Sequence, residues 1–335
     1  MIYITLANNM DEAIPEKHKN NFKFLKKIMY FIRCKLGIVL GIKIDDKDLL
    51  ILPEINKRVL RKIEKIIKIR CIKNICLSNA LLKDEEFMVF VKRQAINILD
   101  GKWLFGYLIQ KTVEYIVQNK KEELENQEVS MLANDINDNI IYNITEIAGK
   151  VKVTNIITTK QEKFKTLEKK ISEEKGIILN INKNYKKGLA KSDIIINFDF
   201  EEGLLNKYVL PKKACIVNVK KEIRIASKSF EGINVSSYKI ATPRKYTKYL
   251  RFFKDFSEEI LYESFIYKKT SVENIVEEIN NDGVCITYLE GTKDKIRKSE
   301  YIKISNNESF AWQSMKKGVS LYILHVKKTR LKEVI

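Results

Sequence analysis

Apolar positions recur along the first hundred residues with two periods, and the alternation between them predicts strands separated by helices. Tyr3–Leu6, Leu49–Leu52 and Lys73–Ser78 are short β-like runs. Between them, Phe22, Leu25, Ile28, Met29, Ile32 and Leu36 fall on one face of a helix expected over Asn21–Leu36, and an amphipathic helix best accounts for the apolar stretch Ile28–Ile44. Pro53-Glu54 is placed to open a helix carrying Ile55, Val59, Ile63, Ile66 and Ile67 on its inner side. Asp84-Glu85-Glu86 caps another that runs through Phe87, Phe90 and Val91. A long helix then begins at Trp103 and becomes polar all round by Gln118–Gln127, as a connector would.

The same alternation resumes at Glu128. Val129–Ala133, Lys152–Thr158, Ile177–Ile181, Asp193–Phe198 and Ala214–Val219 are expected strands. Helices are expected over Asn134–Gly149, Lys163–Lys175 (with Gly176 closing it) and Glu201–Lys207. The run Asp193-Ile-Ile-Ile-Asn-Phe198 has no polar alternation, the pattern of a parallel strand buried on both faces. The order βαβαββαβ predicts an α/β chain with a doubly wound, parallel, Rossmann-like sheet. The expected divisions are an N-terminal α/β domain at 1–102, a linking helix at 103–127, the doubly wound domain at 128–245, and a helical and mixed C-terminal region at 246–335. That last region opens with an aromatic helix, Tyr246–Tyr267, followed by a Ser271-capped helix ending at Gly283 and a β-like run, Cys285–Leu289.

Charge changes this picture little. The formal net charge is +19, but residues 1–127, 128–245 and 246–335 carry +8, +8 and +3 of it. Only 10 of the 62 basic residues are Arg, whose planar fork is the preferred reader of phosphates and base edges. A solvated lysine-rich surface is therefore preferred over a nucleic-acid face. Tyr246, Tyr249, Phe252, Phe253 and Phe256 interleave with Lys245, Lys248, Arg251 and Lys254, but at helical spacing Tyr249, Phe252, Phe253 and Phe256 form an apolar stripe for a core before a stacking platform. The cysteines Cys34, Cys71, Cys76, Cys215 and Cys285 form no C-x-x-C pair, and only His18 and His325 could join them, so no metal site is expected. Unpaired thiols, no basic leader and no long uncharged apolar run point to a cytoplasmic protein without a membrane partner. Neither histidine lies in a setting that suggests a general base, and Glu290-Gly-Thr-Lys293 is expected to be a turn.

The informative chemistry is a departure. A dinucleotide site needs a glycine-rich turn after the first strand, so that pyrophosphate can approach backbone N–H groups at a helix start. Here the turn is Ala133-Asn-Asp-Ile-Asn-Asp138, with no glycine and two carboxylates. The acidic residue expected after the second strand is replaced by Thr158-Thr-Lys160. Asp135 is expected as a helix N-cap. Asn197, Asp199 and Glu201 follow the buried fourth strand at the ligand edge of such a sheet; they could hold a small molecule, or Asp199 could cap the helix opening at Glu201, and the cap is preferred. Asn180, Asn182 and Asn184 are ambiguous in the same way. The candidate cofactor contacts are thus Asn134, Asp135, Thr158, Asn197 and Asp199, for NAD or NADP if either binds.

The segment Arg93-Gln-Ala-Ile-Asn-Ile-Leu-Asp-Gly-Lys-Trp-Leu-Phe-Gly-Tyr107 is similar to two consecutive motifs of the shikimate dehydrogenase group, Gly-Ala-Val-Asn-Thr and Gly-Tyr-Asn-Thr-Asp, with Asn97, Gly106 and Tyr107 in register. Ser192–Phe198 and Ala214–Val219 resemble the later strands of the same group. The resemblance spans roughly residues 90–220. It implies a two-domain dehydrogenase scaffold and makes Lys83, Lys92 and Asn97 the candidate catalytic side chains. Leu108-Ile109-Gln110 stand where the group carries its aspartate, and no residue matches its catalytic lysine. The expectation is a non-catalytic binding or regulatory protein whose partner is a small molecule or another protein. The alternatives are an NAD(P)-dependent oxidoreductase with a divergent cofactor loop, and a lysine-rich nucleic-acid-binding protein.

Overall fold

The computed structural model describes residues 1–8, 12, 23–183, 187–220, 223–227, 229–267, 271–292, 295–304, 322–324 and 331–333. Phe22, His18, His325, Asn184 and Lys293 lie outside the described residues. The chain divides into two compact units, residues 1–101 with 245–265 and residues 102–244 with 266–335.

The first unit begins with β1 (Ile2–Leu6), α1 (Lys23–Leu36), β2 (Leu40–Ile44) and β3 (Lys47–Leu52). It continues through α2 (Lys57–Ile69), β4 (Asn74–Leu77), α3 (Asn79–Lys83), α4 (Glu85–Arg93) and β5 (Asn97–Leu99). The sheet order is β2-β3-β1-β4-β5, parallel except for the β2–β3 hairpin. Side chains alternate across β1. Ile2 and Ile4 join Val59, Ile63 and Ile67 of α2 and Phe87 and Val91 of α4 in one core. Tyr3, on the other face, packs against Phe253 at 4.5 Å and Phe256 at 5.9 Å between ring centroids.

The hairpin strand β2 corrects the expectation of one amphipathic helix reaching Ile44. Gly37, at φ +62°, ends α1 after Leu36. The following helix opens later than Pro53-Glu54 suggests, because Asn56 caps α2 by accepting from the Arg58 and Val59 N–H groups. Asp84 caps α4 as expected, accepting from Phe87 N–H at 2.8 Å.

The second unit opens with α5 (Lys102–Asn119), buried along most of its length rather than on one stripe. Then follow β6 (Glu128–Leu132), α6 (Asp138–Ala148), β7 (Val153–Ile157), α7 (Gln161–Lys175), β8 (Asn180–Asn182), β9 (Ile194–Asn197), α8 (Glu202–Leu205), β10 (Cys215–Asn218) and β11 (Ile233–Ala241). These six strands are all parallel and lie in the order β8-β7-β6-β9-β10-β11. Counted within this sheet that is 3-2-1-4-5-6, the Rossmann order. Every residue of β9 and β10 is buried, as helices on both faces of a sheet require. β11 is a sixth strand that the residue pattern did not disclose.

The chain next contributes α9 (Thr247–Leu250) and α10 (Glu258–Ile266) where one continuous aromatic helix was expected. Tyr249, Phe253 and Phe256 are buried and Phe252 is exposed beside the Arg251 guanidinium, so most of the stripe is core. After α11 (Val272–Asp282), capped by Ser271 and closed by Gly283 at φ +64°, β12 (Val284–Thr292) and β13 (Lys295–Ile304) extend the second sheet antiparallel from β11. Glu290–Thr292 thus continue a strand instead of forming a turn. No helix among the described residues is long and apolar enough to cross a membrane.

Candidate nucleotide crevice

In an open parallel sheet, ligands bind beyond the carboxyl ends of the strands where successive connections diverge. In the second unit that point lies between β6 and β9. The turn after β6 offers the N–H groups of Asn134 and Asp135, and both are taken. The Asp199 carboxylate, two residues past β9, accepts from Asn134 N–H at 2.9 Å with each oxygen and from Asp135 N–H at 3.0 Å. A carboxylate of the protein therefore sits on the main-chain donors that a pyrophosphate would use. Asp199 does not cap α8, whose N-cap Glu201 makes no side-chain capping bond. Asp135 does not cap α6 either; Asn137 does, accepting from Ile140 N–H at 3.1 Å.

The rest of the turn is tied down as well. The Asn134 side-chain oxygen accepts from Thr159 N–H at 2.9 Å, from the Thr159 hydroxyl at 2.7 Å and from the Thr158 hydroxyl at 3.4 Å. These bonds close the end of β7, where a ribose would be held, against the end of β6. Asp135 points outward and pairs with Lys160 at 3.1 Å. The hydrogen bond from Lys160, with the charges of Lys160, Lys163 and Lys220, holds its carboxyl below the usual aspartate range. Asn197 faces the interior: its side-chain oxygen accepts from Phe200 N–H at 2.9 Å and its amide donates to the Asn218 oxygen at 3.1 Å. Asn218 donates on to Asn234 at 2.8 Å, and Asn234 to the Ile223 carbonyl at 3.0 Å. A buried amide chain thus crosses β9, β10 and β11. Asn218 and Asn234 were missed in the sequence, where each is a lone asparagine; only the parallel register brings them into line.

The structure joins Asn134, Asp135, Thr158 and Asp199 in one cluster and leaves Asn197 in the amide chain beside it. The turn as built does not fit a dinucleotide. The Asp199 carboxylate occupies the donors, and the turn carries no glycine. Glu201 is exposed, and Asn180 and Asn182 form β8 with Asn180 donating to Asn155 at 3.4 Å.

Connections in the first unit diverge between β1 and β4. Asp255 fills this point: its carboxylate accepts from the Asn8 amide at 2.9 Å with both oxygens and from the Thr5 hydroxyl at 3.5 Å. Its backbone carbonyl accepts from Asn79 N–H at 2.9 Å. Ser78, fully buried, has a hydroxyl with no hydrogen-bond partner among the described residues. The catalytic candidates do not assemble with this cluster. Lys83 and Lys92 are exposed on α3 and α4, and the exposed Asn97 donates to Asn74 at 3.0 Å across β4 and β5. Gly106 and Tyr107 lie inside α5. A Cβ on Gly106 would meet the Asn139 amide at 2.5 Å, so the glycine lets α6 approach, where Asn143 donates to the Gly106 carbonyl at 2.7 Å. Burial, with Asp138 nearby, pushes the Tyr107 phenol up to about 12.

Three solved structures are similar to the chain at low identity. The fold is Rossmann-like. L-tryptophan dehydrogenase from Nostoc punctiforme matches over 84% of this chain and 78% of its own, at 9% identity and a TM-score of 0.30. Shikimate 5-dehydrogenase from Listeria monocytogenes, in complex with shikimate and NAD, matches over 83% and 95%, at 12% identity and a TM-score of 0.30. Ornithine carbamoyltransferase from Pyrococcus furiosus matches over 78% and 83%, at 10% identity and a TM-score of 0.28. No protein-family model matches the chain, and no curated protein matches it. The fold assignment rests on the 3-2-1-4-5-6 strand order itself.

A separate groove of about 700 Å³ lies among α6, α7 and α11, floored by Ile141, Leu167, Ile171 and Val276 with Tyr142 on its wall. No group of three or more His, Cys, Asp or Glu able to hold a metal occurs among the described residues.

Proposed function

We propose that this chain is a non-catalytic binding or regulatory protein built on a Rossmann-like scaffold whose nucleotide crevice serves as a structural latch. One observation carries this reading: the Asp199 carboxylate occupies the N–H groups of Asn134 and Asp135. An incoming pyrophosphate would have to displace the Asp199 carboxylate, and like charges at that range repel. The side chains that the dehydrogenase resemblance nominates are dispersed over the first unit, which also favours binding over turnover. The α6–α7–α11 groove, where Ile141, Leu167, Ile171 and Val276 are bordered by Glu146, Glu174, Glu273 and Glu277, is one place in the second unit with the size of a small-molecule site.

Differential scanning calorimetry with NAD and NADP tests this. The expected result is an unchanged melting temperature with either; a saturable upward shift would overturn the reading, because any ligand of the native state stabilises it by mass action. An Asp199→Ala variant sharpens the test. With the carboxylate removed, pyrophosphate is expected to raise the melting temperature of the variant and not that of the parent.

A further inference from the structure

The apolar face of α1 lies outward. Phe24 is 72% exposed, Phe31 64% and Leu36 52%, and Leu25, Ile28 and Ile32 are exposed with them. At 100° per residue these six side chains span an arc of about 140° on one side of the helix. The opposite side holds the helix to the unit. Arg33 and Cys34 are buried, Tyr30 donates to the Pro53 carbonyl at 3.1 Å, and Asn56 donates to the Cys34 carbonyl at 3.1 Å. At the C-terminal end, Arg33 donates to the Ile38 carbonyl, and the Arg58 guanidinium donates to the Lys35 carbonyl. A Cβ on Gly37 would meet Arg58 Cβ at 2.9 Å, so this junction is built for close approach. The apolar arc is therefore presented outward by a helix pinned from behind.

Charge identifies what meets that arc. α1 carries Lys23, Lys26, Lys27, Arg33 and Lys35 and no acidic residue. α2, tied to it through Arg58, exposes Lys57, Arg58, Arg61, Lys62, Lys65, Lys68 and Arg70. Residues 23–70 hold fourteen Lys or Arg against five Asp or Glu, so net +9 of the chain's +19 falls on 48 residues. Division of the sequence into thirds conceals this concentration. A second copy would bring the same positive face against itself. A bilayer with anionic headgroups matches both properties at once: apolar side chains enter the boundary of the acyl region while Lys and Arg stay at the headgroups.

We infer that α1 lies in the surface of an anionic membrane, with Phe24, Ile28 and Phe31 inserted and the exposed Lys23, Lys27 and Lys35 of α1 and the exposed basic residues of α2 on the lipid phosphates and carboxylates. At about 21 Å its fourteen residues cannot span the bilayer core of about 30 Å, so the contact is peripheral. This inference is independent of the crevice reading.

Co-sedimentation of the full chain with vesicles of phosphatidylcholine, with and without phosphatidylserine, tests it. The expected result is binding that requires phosphatidylserine, falls as salt rises, and weakens about tenfold or more in a Phe24→Ser/Phe31→Ser double variant. Both positions are exposed, and the thermal melt of the variant, followed by circular dichroism, should match the parent. Three results would overturn the inference: absence of binding to either vesicle, binding indifferent to the double substitution, or a dimer in light scattering that the double substitution dissociates.

Discussion

In the second unit the carboxylate at the point of divergence, Asp199, comes from the strand next to the turn it holds and binds main-chain N–H groups. In the first unit the corresponding carboxylate, Asp255, comes from a segment about 250 residues downstream and binds the side chains of Asn8 and Thr5. The donors for Asp199 belong to the backbone, so no substitution at 134 or 135 short of proline removes them. The donors for Asp255 are properties of two particular residues. Only its backbone carbonyl, accepting from Asn79, is independent of side-chain identity. One latch is thus written into the turn geometry of a Rossmann sheet. The other is written into the sequence, and it fastens a distant return segment to the first sheet.

If this contrast is right, removing partners should hurt most where the network is buried. Asn218 is the middle of the amide chain, and Asn218→Leu would strand the Asn234 oxygen inside the sheet and remove one of the two bonds of the Asn197 amide, which keeps the Phe200 carbonyl at 3.0 Å. One unsatisfied buried oxygen and one lost buried amide bond should together cost about 3 kcal/mol in urea unfolding. A loss well under 1 kcal/mol would mean that water reaches this chain and that the second unit is looser than its hydrogen bonds imply. Asp199→Ala should cost about 2 kcal/mol, the range for hydrogen bonds to a charged acceptor. Asp255→Ala should cost less, about 0.5 kcal/mol, because its bonds to Asn8 are exposed and its carbonyl bond to Asn79 survives. The two aspartate variants compared in one denaturation series test the contrast itself, and an equal or reversed order would break it.

The sheet of the second unit was largely legible because parallel strands buried on both faces leave uninterrupted apolar runs, as in Asp193–Phe198. β11 was not, because Ile233–Ala241 mixes buried and exposed positions at the boundary between parallel and antiparallel pairing. The missing glycines set this turn apart from a glycine-rich phosphate loop, and the structure places Asp199 on its N–H groups. What replaced the phosphate was misassigned, since Asp199 followed by a short helix has the local pattern of a cap, and only the adjacency of β6 and β9 shows that the Asn134 N–H lies closer. The Asp255 latch left no local signal at all: its partners at Thr5 and Asn8 are distant in the chain. The outward turn of α1 was equally hidden, because an amphipathic period states that a helix has an apolar face and not what covers it.

The smallest effect expected concerns the outer carboxylate of the same turn. Asp135 is exposed, and its hydrogen bond and charge pairing with Lys160 lower its folded pKa below the ordinary 3.8. A depressed carboxylate contributes stability that is present above the unfolded value and is lost as pH falls through the folded one, so the pair should contribute throughout the neutral range and lose its effect only below the ordinary aspartate range. An NMR titration of Asp135 should show the depressed midpoint at low salt and its partial return in Lys160→Met, with Lys163 and Lys220 retaining the remainder. Added salt should shrink the shift, since exposed charges are screened. A midpoint unmoved by Lys160→Met would show that the lysine does not hold Asp135. The turn after β6 would then present a free outer carboxylate in addition to the Asp199 latch, a still poorer setting for phosphate than the paired arrangement.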